Sequence, residues 1–571
     1  MQRPVLPSFL SSVFSEEIFY PKFFTTIKTY NKKLFVKDLL AGVIMCVVAL
    51  PMSIAFGIAS GVTPEVGLIT AIVGGFLIAF LGGSRVQIGG PAGSFILVVS
   101  GVVASYGMSG LVIVTILAGI MLIFMGLLKL GDVIKFMPYP VVVGFTSGMA
   151  VVIFSTQIKD FFGLDMGNVP LTFHEKWYSY FMHFESINFY ATGIALVTVI
   201  LSFLWTRINR TIPAALIAII LTTVAVQIFN LPVETIGSRF GEIELQMSSP
   251  KFPSATYDAI RELLPIAFTV AMLCAIESLL SAMVTDGVIG GKHRSNTELI
   301  AEGFANIGCG LFGGMPAAGA VARSMTNIKN GGRTPVAGMV HAVTLLILLL
   351  AFGQYAKMIP MPCLAGILVV VSYNMSEWRS FRGLFRNSRS EVVVLLATFL
   401  LTVIFDITLA IEVGLVLALF LFVRRISKTS EVQIFTNTTL TEDGDLHDNS
   451  TLPNGVEIFR INGPFFFGVA NKFEEAHKLV RKAPKVRIID MALVPFMDAT
   501  GLQNMYSFFK KCQSEKVITI LARVNTNVME DLKSHVLYKH IGATNIFPDL
   551  EEAVTRSTFL IQKMNDKTVE N

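Results

Sequence analysis

Arg323 and Glu277 are charges in places that should not tolerate them. Arg323 stands in GGMPAAGAVARSMTN (313–327), and Glu277 stands in AMLCAIESLLSAM (271–283). An arginine at the centre of a membrane helix costs roughly 2.5–3.5 kcal/mol on insertion scales, so it needs a task or a partner. The surrounding Pro316, Ala317, Ala318, Gly319 and Ala320 are too small and too helix-breaking for an ordinary span. A small-residue segment carrying a charge inside an apolar bundle predicts a broken helix around a ligand. A second stretch, GGSRVQIGGPAGSF (82–95), offers Gly89, Gly90, Pro91, Ala92 and Gly93 in the same style. Each would open a short helix near the bilayer midplane, with free N–H groups and about half a positive charge at its N-terminus. Two such ends facing one another cradle an anion, and Arg323 adds a full positive charge. Glu277 is suspended between burial, which favours its neutral form, and a nearby arginine, which favours its ionised form. Such a carboxylate can take up and release a proton. A fixed pairing of Arg323 with a carboxylate or with carbonyls is the structural alternative, and His341 reads as a packing residue.

Other chemistries are poorly supplied. Asp498-Ala499-Thr500-Gly501 has no base or metal cluster beside it in sequence, and GGPAG lacks the Lys-Ser/Thr of a phosphate loop. The five cysteines are scattered without metal or redox spacing. The sequence therefore predicts no enzyme activity, no cofactor and no bound metal. A net charge of +5 reports topology before partners, and no nucleic-acid binding is expected.

The elements that must position these residues are membrane segments. Only 15% of the 571 residues are charged and 53% are hydrophobic, against roughly a quarter charged in soluble domains. Apolar segments are predicted near 39–57, 67–82, 91–105, 110–129, 138–156, 189–206 and 212–229. A second set follows near 263–285, 296–312, 321–330, 335–353, 358–373, 391–405 and 408–423, making fourteen. The segments beginning near Pro91 and Val321 are too short to span alone, since a crossing takes about 20 residues. With the N-terminus inside, basic residues such as Arg85, Lys129, Arg207, Arg294, Arg333, Arg382 and Arg425 collect on the cytoplasmic side. That asymmetry predicts cytoplasmic termini in a multi-pass protein, and the compact loops predict the cytoplasmic membrane. Two features recur: Pro138-Tyr139-Pro140 with Gly144 returns as Pro360-Met361-Pro362 with Gly366, and Gly82-Gly83 returns as Gly313-Gly314. Seven segments in each half, an odd number, make the halves inverted copies.

Beyond Arg425 the character changes. Strands are predicted at 457–461, 464–468, 486–491 and 517–523, with helices at 473–483 and 502–512, giving a small cytosolic α/β domain. The divisions are a cytoplasmic lead-in at 1–38, repeats at 39–232 and 258–427, the α/β domain at 431–560 and a tail at 561–571. The fold class is thus an α-helical polytopic membrane protein with fourteen transmembrane segments in a 7+7 inverted repeat, followed by that domain.

Three stretches, 82–95, 275–307 (AIESLLSAMVTDGVIGGKHRSNTELIAEGFANI) and 313–327, resemble the SulP sulfate-permease family of anion transporters. KVRIIDMALVPFMDATGL (485–502) resembles the STAS domain that follows the membrane part in that family. The resemblance implies core and gate domains, elevator-like movement and a homodimer. It implies an anion site at Phe56, Ala92, Gly93, Ala322 and Arg323, and a coupling-ion role for Glu277, for a proton rather than sodium. Thr500 matches the position phosphorylated in soluble STAS proteins; a plain helix-start residue is the alternative. Many bacterial members carry Thr where this chain has Ala92 and Ala318, which opens the substrate to small anions other than sulfate; many members also carry Gln where Met52 stands. The expected function is secondary active, proton-coupled anion uptake. Bicarbonate or dicarboxylate transport, anion exchange and channel-like conduction are alternatives within transport. A membrane-anchored STAS signalling protein is the alternative from another class.

Overall fold

The computed structural model describes residues 19–134, 138–167, 169–170, 172–208, 213–241, 250, 256–405, 407–429, 431–435, 452–466 and 484–569. The chain divides into two compact units, Met1–Val416 and Leu417–Asn571.

In the first unit the apolar runs become helices, because a backbone surrounded by hydrocarbon must satisfy its own hydrogen bonds. In chain order they are α1 (Lys32–Ala59), α2 (Pro64–Leu81), α3 (Ile96–Leu127), α4 (Tyr139–Phe162), α5 (Phe173–Met182), α6 (Phe189–Ile208) and α7 (Ala214–Phe229). There follow α8 (Tyr257–Ile289), α9 (Ser295–Leu311), α10 (Val321–Lys329), α11 (Pro335–Phe352), α12 (Met361–Met375), α13 (Arg389–Ile404) and α14 (Ile407–Thr429), which runs on into the second unit. Among the described residues five helices, α1 to α4 and α8, are long and apolar enough to cross a membrane.

Two local features differ from the sequence reading. The segments expected at 91–105 and 110–129 lie in one long helical element, α3, interrupted at Gly107 with φ 66°. That backbone conformation carries a steric penalty for a residue with a Cβ. The interval between the segments expected at 138–156 and 189–206 contains α5, whose buried Lys176 and Tyr180 anchor a short amphipathic helix.

Small residues set the helix contacts. A Cβ at Gly144 of α4 would lie 2.6 Å from the Leu395 carbonyl oxygen of α13, and one at Gly366 of α12 would lie 2.8 Å from that of Ala195 in α6. The recurring Pro-x-Pro…Gly motif therefore does the same work twice: proline caps the helix start, and glycine four residues after the second proline admits a neighbouring backbone. At one end of the unit, Tyr20 N–H donates to Thr297 Oγ1 (3.1 Å), Lys22 N–H to the Gly82 carbonyl (2.9 Å) and Arg333 N–H to Asp38 Oδ1 (2.9 Å). Elsewhere Arg239 holds Asp160 and Glu234, each at 2.5 Å, and Thr235 bridges to Pro360.

The second unit holds a five-stranded sheet ordered β3 (Glu431–Phe435), β4 (Val456–Asn462), β5 (Val486–Leu493), β6 (Ile518–Ala522), β7 (Ile546–Phe547). The first pairing is antiparallel and the rest parallel. Alternation along the strands supplies two cores. Phe459, Ile489 and Leu521 face one side with helix α15 (Ala499–Ser514), and Ile458, Ile488 and Ile520 face the other with α16 (Leu550–Val569). The strand expected at 464–468 is not formed through its described part: Pro464 has no N–H for a ladder, and Phe465 makes an isolated parallel bridge to Met497. Positions 467–468 and the helix expected at 473–483 lie outside the described residues.

Asp490 on β5 is fully buried and receives Arg460 Nε at 2.9 Å and the Arg523 guanidinium. Burial alone would raise its carboxyl, but hydrogen bonds from Arg523 and Arg460 outweigh this and hold it below the usual carboxylate range. A depressed folded-state value contributes stability that is present above the unfolded value, about pH 4, and lost as pH falls through the folded one. Asp490→Ala should lower the unfolding temperature of the second unit at neutral pH by several degrees, read by calorimetry on the full chain. Its deficit relative to the parent should shrink on acidification.

Candidate functional site

The two glycine-rich stretches meet as an antiparallel bridge: β1 (Gly89–Gly90) pairs with β2 (Ala318–Gly319), Gly89 opposite Gly319 and Gly90 opposite Ala318. On its far side β1 leads through Ala92 into a helical turn at Gly93–Phe95 and then α3, while β2 leads through Ala320 into α10. Neither helix start carries a side-chain cap, so the first N–H groups of each are left to other acceptors.

The buried face of α10 fastens the opposite stretch to itself. Asn327 Nδ2 donates to the Val86 carbonyl (3.0 Å), Ser324 Oγ accepts from Ile88 N–H (3.0 Å), and Arg323 donates to the carbonyls of Gly89 (Nη1, 3.4 Å) and Pro91 (Nη2, 2.9 Å). Arg323 is 3% exposed. Of the structural alternatives, the carbonyl pairing is the one found. No direct ion pair joins Arg323 to Glu277, which instead lies beside Ser94 and within electrostatic reach of Arg323. The Oε2 atom of Glu277 is buried with no hydrogen-bond partner among the described residues. Glycine is required where the guanidinium crosses, since a Cβ at Gly90 (φ 145°) would lie 2.4 Å from Arg323 Nη1.

Phe56 and Ala92 are buried in one apolar core with Met315 and Ala318, so α1 closes over both stretches. Gly93 abuts Met375 Sδ and Ile153 Cδ1, where a Cβ would come within 3.0 and 3.2 Å. Ala322 is exposed, on the side of α10 away from the bonds that Arg323 makes. Thr500 is exposed in the first turn of α15, whose start is capped by Asp498 accepting from Gly501 N–H at 2.6 Å. His341 is fully buried, with neither ring nitrogen partnered among the described residues.

Sequence reasoning did not single out the stripe that holds both stretches from behind. Glu298, Glu302 and Asn306 recur every four residues along α9 and are fully buried. Glu298 Oε2 accepts from the N–H groups of Gly83 (2.6 Å) and Ser84 (2.8 Å). Glu302 Oε1 accepts from Ser278 Oγ (2.5 Å) and Gly319 N–H (3.0 Å). Asn306 bonds both the N–H (3.0 Å) and the carbonyl (2.9 Å) of Ala317. The four-residue spacing of three polar groups was the available signal, since it puts them on one helix face. On the same side Thr70, in a π-helical turn at Thr70–Gly74 of α2, accepts from Met315 N–H at 2.8 Å. The arrangement is a pair of helix N-termini locked together by polar side chains, with one arginine beside them and, among the described residues, one oxygen each of Glu277, Glu298 and Glu302 left without a hydrogen-bond partner.

Known proteins share this architecture. Two solved structures of Solute Carrier 26 family member A9, one of them murine and inward-facing, superpose with TM-scores of 0.83 and 0.85. Each covers at least 97% of this chain and 95% of its own, at 17% and 18% identity, which establishes the fold. The bicarbonate transporter BicA of Picosynechococcus is 30% identical over 547 residues, 90% of this chain and 94% of its own length. The Bacillus subtilis protein YvdB, a sulfate transporter by name, is 38% identical over 540 residues, 93% of this chain and 99% of its own. The profile of the STAS domain matches residues 449–553, and that of the sulfate permease family matches residues 35–398. The chain is a multi-pass membrane protein that belongs to the sulfate permease family and carries a C-terminal STAS domain.

Proposed function

We propose that the protein is a secondary active transporter that takes up sulfate or a similar small anion together with protons. The observation that carries this reading is the uncapped pair of helix starts beside the β1–β2 bridge, with Arg323 immediately next to them. The anion would sit between these N-termini, against Phe56, Ala92, Gly93 and Ala322, with Arg323 setting the backbone geometry and supplying positive potential. Glu277, with an unpartnered buried oxygen, would carry the proton. A co-transported proton offsets one negative charge against a potential worth about 2.3 kcal/mol per 100 mV.

Fourteen segments in a 7+7 inverted repeat, core and gate parts moving as an elevator, and a homodimer complete the proposal. The matching roles of Gly144 and Gly366 support the repeat. Cytoplasmic termini are supported by the contacts that gather the basic N-terminal segment with loops around Arg294 and Arg333 at one end. The domain limits 1–38, 39–232, 258–427, 431–560 and 561–571 belong to the same proposal, as does a regulatory role for exposed Thr500.

The test is uptake of radiolabelled sulfate, bicarbonate and dicarboxylates into proteoliposomes with and without an inward proton gradient. Glu277→Gln should reduce gradient-driven uptake to the gradient-independent level while leaving anion binding in place. Full coupling in that variant would sink the proton role. A second reading, bicarbonate transport, is favoured by the 30% identity to BicA. Sodium-dependent bicarbonate uptake in the same assay would select it.

A further inference from the structure

A groove on the outer wall of α4 has no part in the anion reading. α4 turns Ile153 towards Gly93, and roughly a hundred degrees round the same helix it presents Ser147, Val151 and Phe154 elsewhere. There, two cavities of about 380 and 320 Å³ share Val151 and Ser376. The first runs between α4, the short helix Trp378–Leu384 and Phe399 of α13; the second runs between α4, Phe203 of α6 and Val369 of α12. Their lining is apolar except for serines, a tyrosine hydroxyl and, at one end, Arg382. Ser147 and Ser376 bond one another, Ser147 Oγ donating to the Ser376 carbonyl at 2.5 Å, so their polarity is largely answered within the wall.

The end that holds Arg382 is strongly basic. Arg379, Arg382, Arg386 and Arg389 are all exposed, and no ion pair occupies any of them among the described residues. Glu377 and Glu391 are the acids within the same stretch. Trp378 is 49% exposed and lies under the Arg382 guanidinium at 5.8 Å, an aromatic paired with a cation, the kind of residues enriched where headgroups lie. The groove is thus an apolar slot about two helical turns long, open to the side and topped at one end by unpaired positive charge. On a membrane-spanning helix bundle an apolar slot open to the side suits an acyl chain better than a soluble peptide.

We propose that this groove binds an anionic glycerophospholipid, one acyl chain lying along Val151 and Phe154 and the phosphate resting on Arg382. Charge complementarity decides for the anionic class: a zwitterionic lipid would bring its own cation to a site whose one charged lining residue is Arg382, in a stretch that also carries Arg379, Arg386 and Arg389.

Trp378 gives the test a built-in reporter. The chain has three tryptophans, Trp177, Trp205 and Trp378. In a full-length W177F/W205F variant, Trp378 emission is titrated with phosphatidylglycerol brominated on its acyl chains, in phosphatidylcholine vesicles, and separately with brominated phosphatidylcholine. Quenching by the anionic lipid should saturate at a mole fraction at least roughly fivefold lower. Arg382→Gln should erase that preference, and Val151→Phe should lower the saturable quenching by both lipids; unchanged anion uptake in each variant would show that the protein is folded. Equal quenching by the two lipids, or a preference that survives Arg382→Gln, would overturn the proposal. Absence of quenching by either lipid would also overturn it, and would indicate that a second copy of the chain covers the groove.

Discussion

Arg323→Ala should abolish anion uptake, reducing the initial rate in proteoliposomes by about a hundredfold or more. The guanidinium donates to the buried carbonyls of Gly89 and Pro91, and alanine leaves both without that donor. A hydrogen bond to a charged group contributes roughly 1.5–3 kcal/mol, and every 1.4 kcal/mol is about tenfold in an equilibrium. Losing two such bonds accounts for the effect before any loss of positive potential at the anion is counted. Arg323→Lys should be intermediate, because an ammonium keeps the charge but cannot span two carbonyls with a rigid fork. Uptake by the alanine variant within twofold of the parent would remove Arg323 from the site. Intact STAS partner binding with abolished uptake would argue against the membrane part being only an anchor for signalling.

Gly319→Ala should be nearly as damaging, by a different route. A Cβ at Gly319 would lie 1.8 Å from Gln87 Nε2 and 2.8 Å from Gln87 Cγ, so the β1–β2 bridge must open or Gln87 must leave. Opening the bridge also strains the Gly319 N–H bond to Glu302. We expect at least a tenfold loss of uptake and a clear fall in unfolding temperature, in keeping with a cost of a few kcal/mol for overpacking. The informative experiment is the double variant. The Gln87 amide is buried with neither atom bonded among the described residues, so Gln87→Ala gives up none of the hydrogen bonds seen there and makes room. Gln87→Ala with Gly319→Ala should recover most of the stability, a coupling between residues in contact that distant sites would not show. Strictly additive losses would mean that the bridge is not the element under strain.

These predictions rest on contacts of unequal visibility in the sequence. Composition, long apolar runs and the basic asymmetry of the loops announce a membrane protein because the bilayer acts on every residue of a segment at once. The strands of the STAS domain announce themselves through runs such as VRIIDM, buried on both faces. The kinship of 82–95 and 313–327 was legible too, since glycine, alanine and proline in such a setting have few other uses. Gly107 was not legible as the break inside α3, nor α5 in the interval between two expected apolar segments. In both cases a single positive φ or a short packed face decides the structure, and neither leaves a long pattern.

What the sequence determined by itself was therefore the class of molecule and its family. What only the tertiary structure decided was how the residues around the site are joined. Arg323 could have met a carboxylate; it meets two carbonyls more than two hundred residues away. Glu302 could have been one more helix-surface acid; it holds Gly319 from behind together with Ser278. The reason is that the large majority of buried polar groups take a partner wherever the fold brings one. In a bundle built from two distant halves, that partner is supplied by the packing and not by any neighbour along the chain.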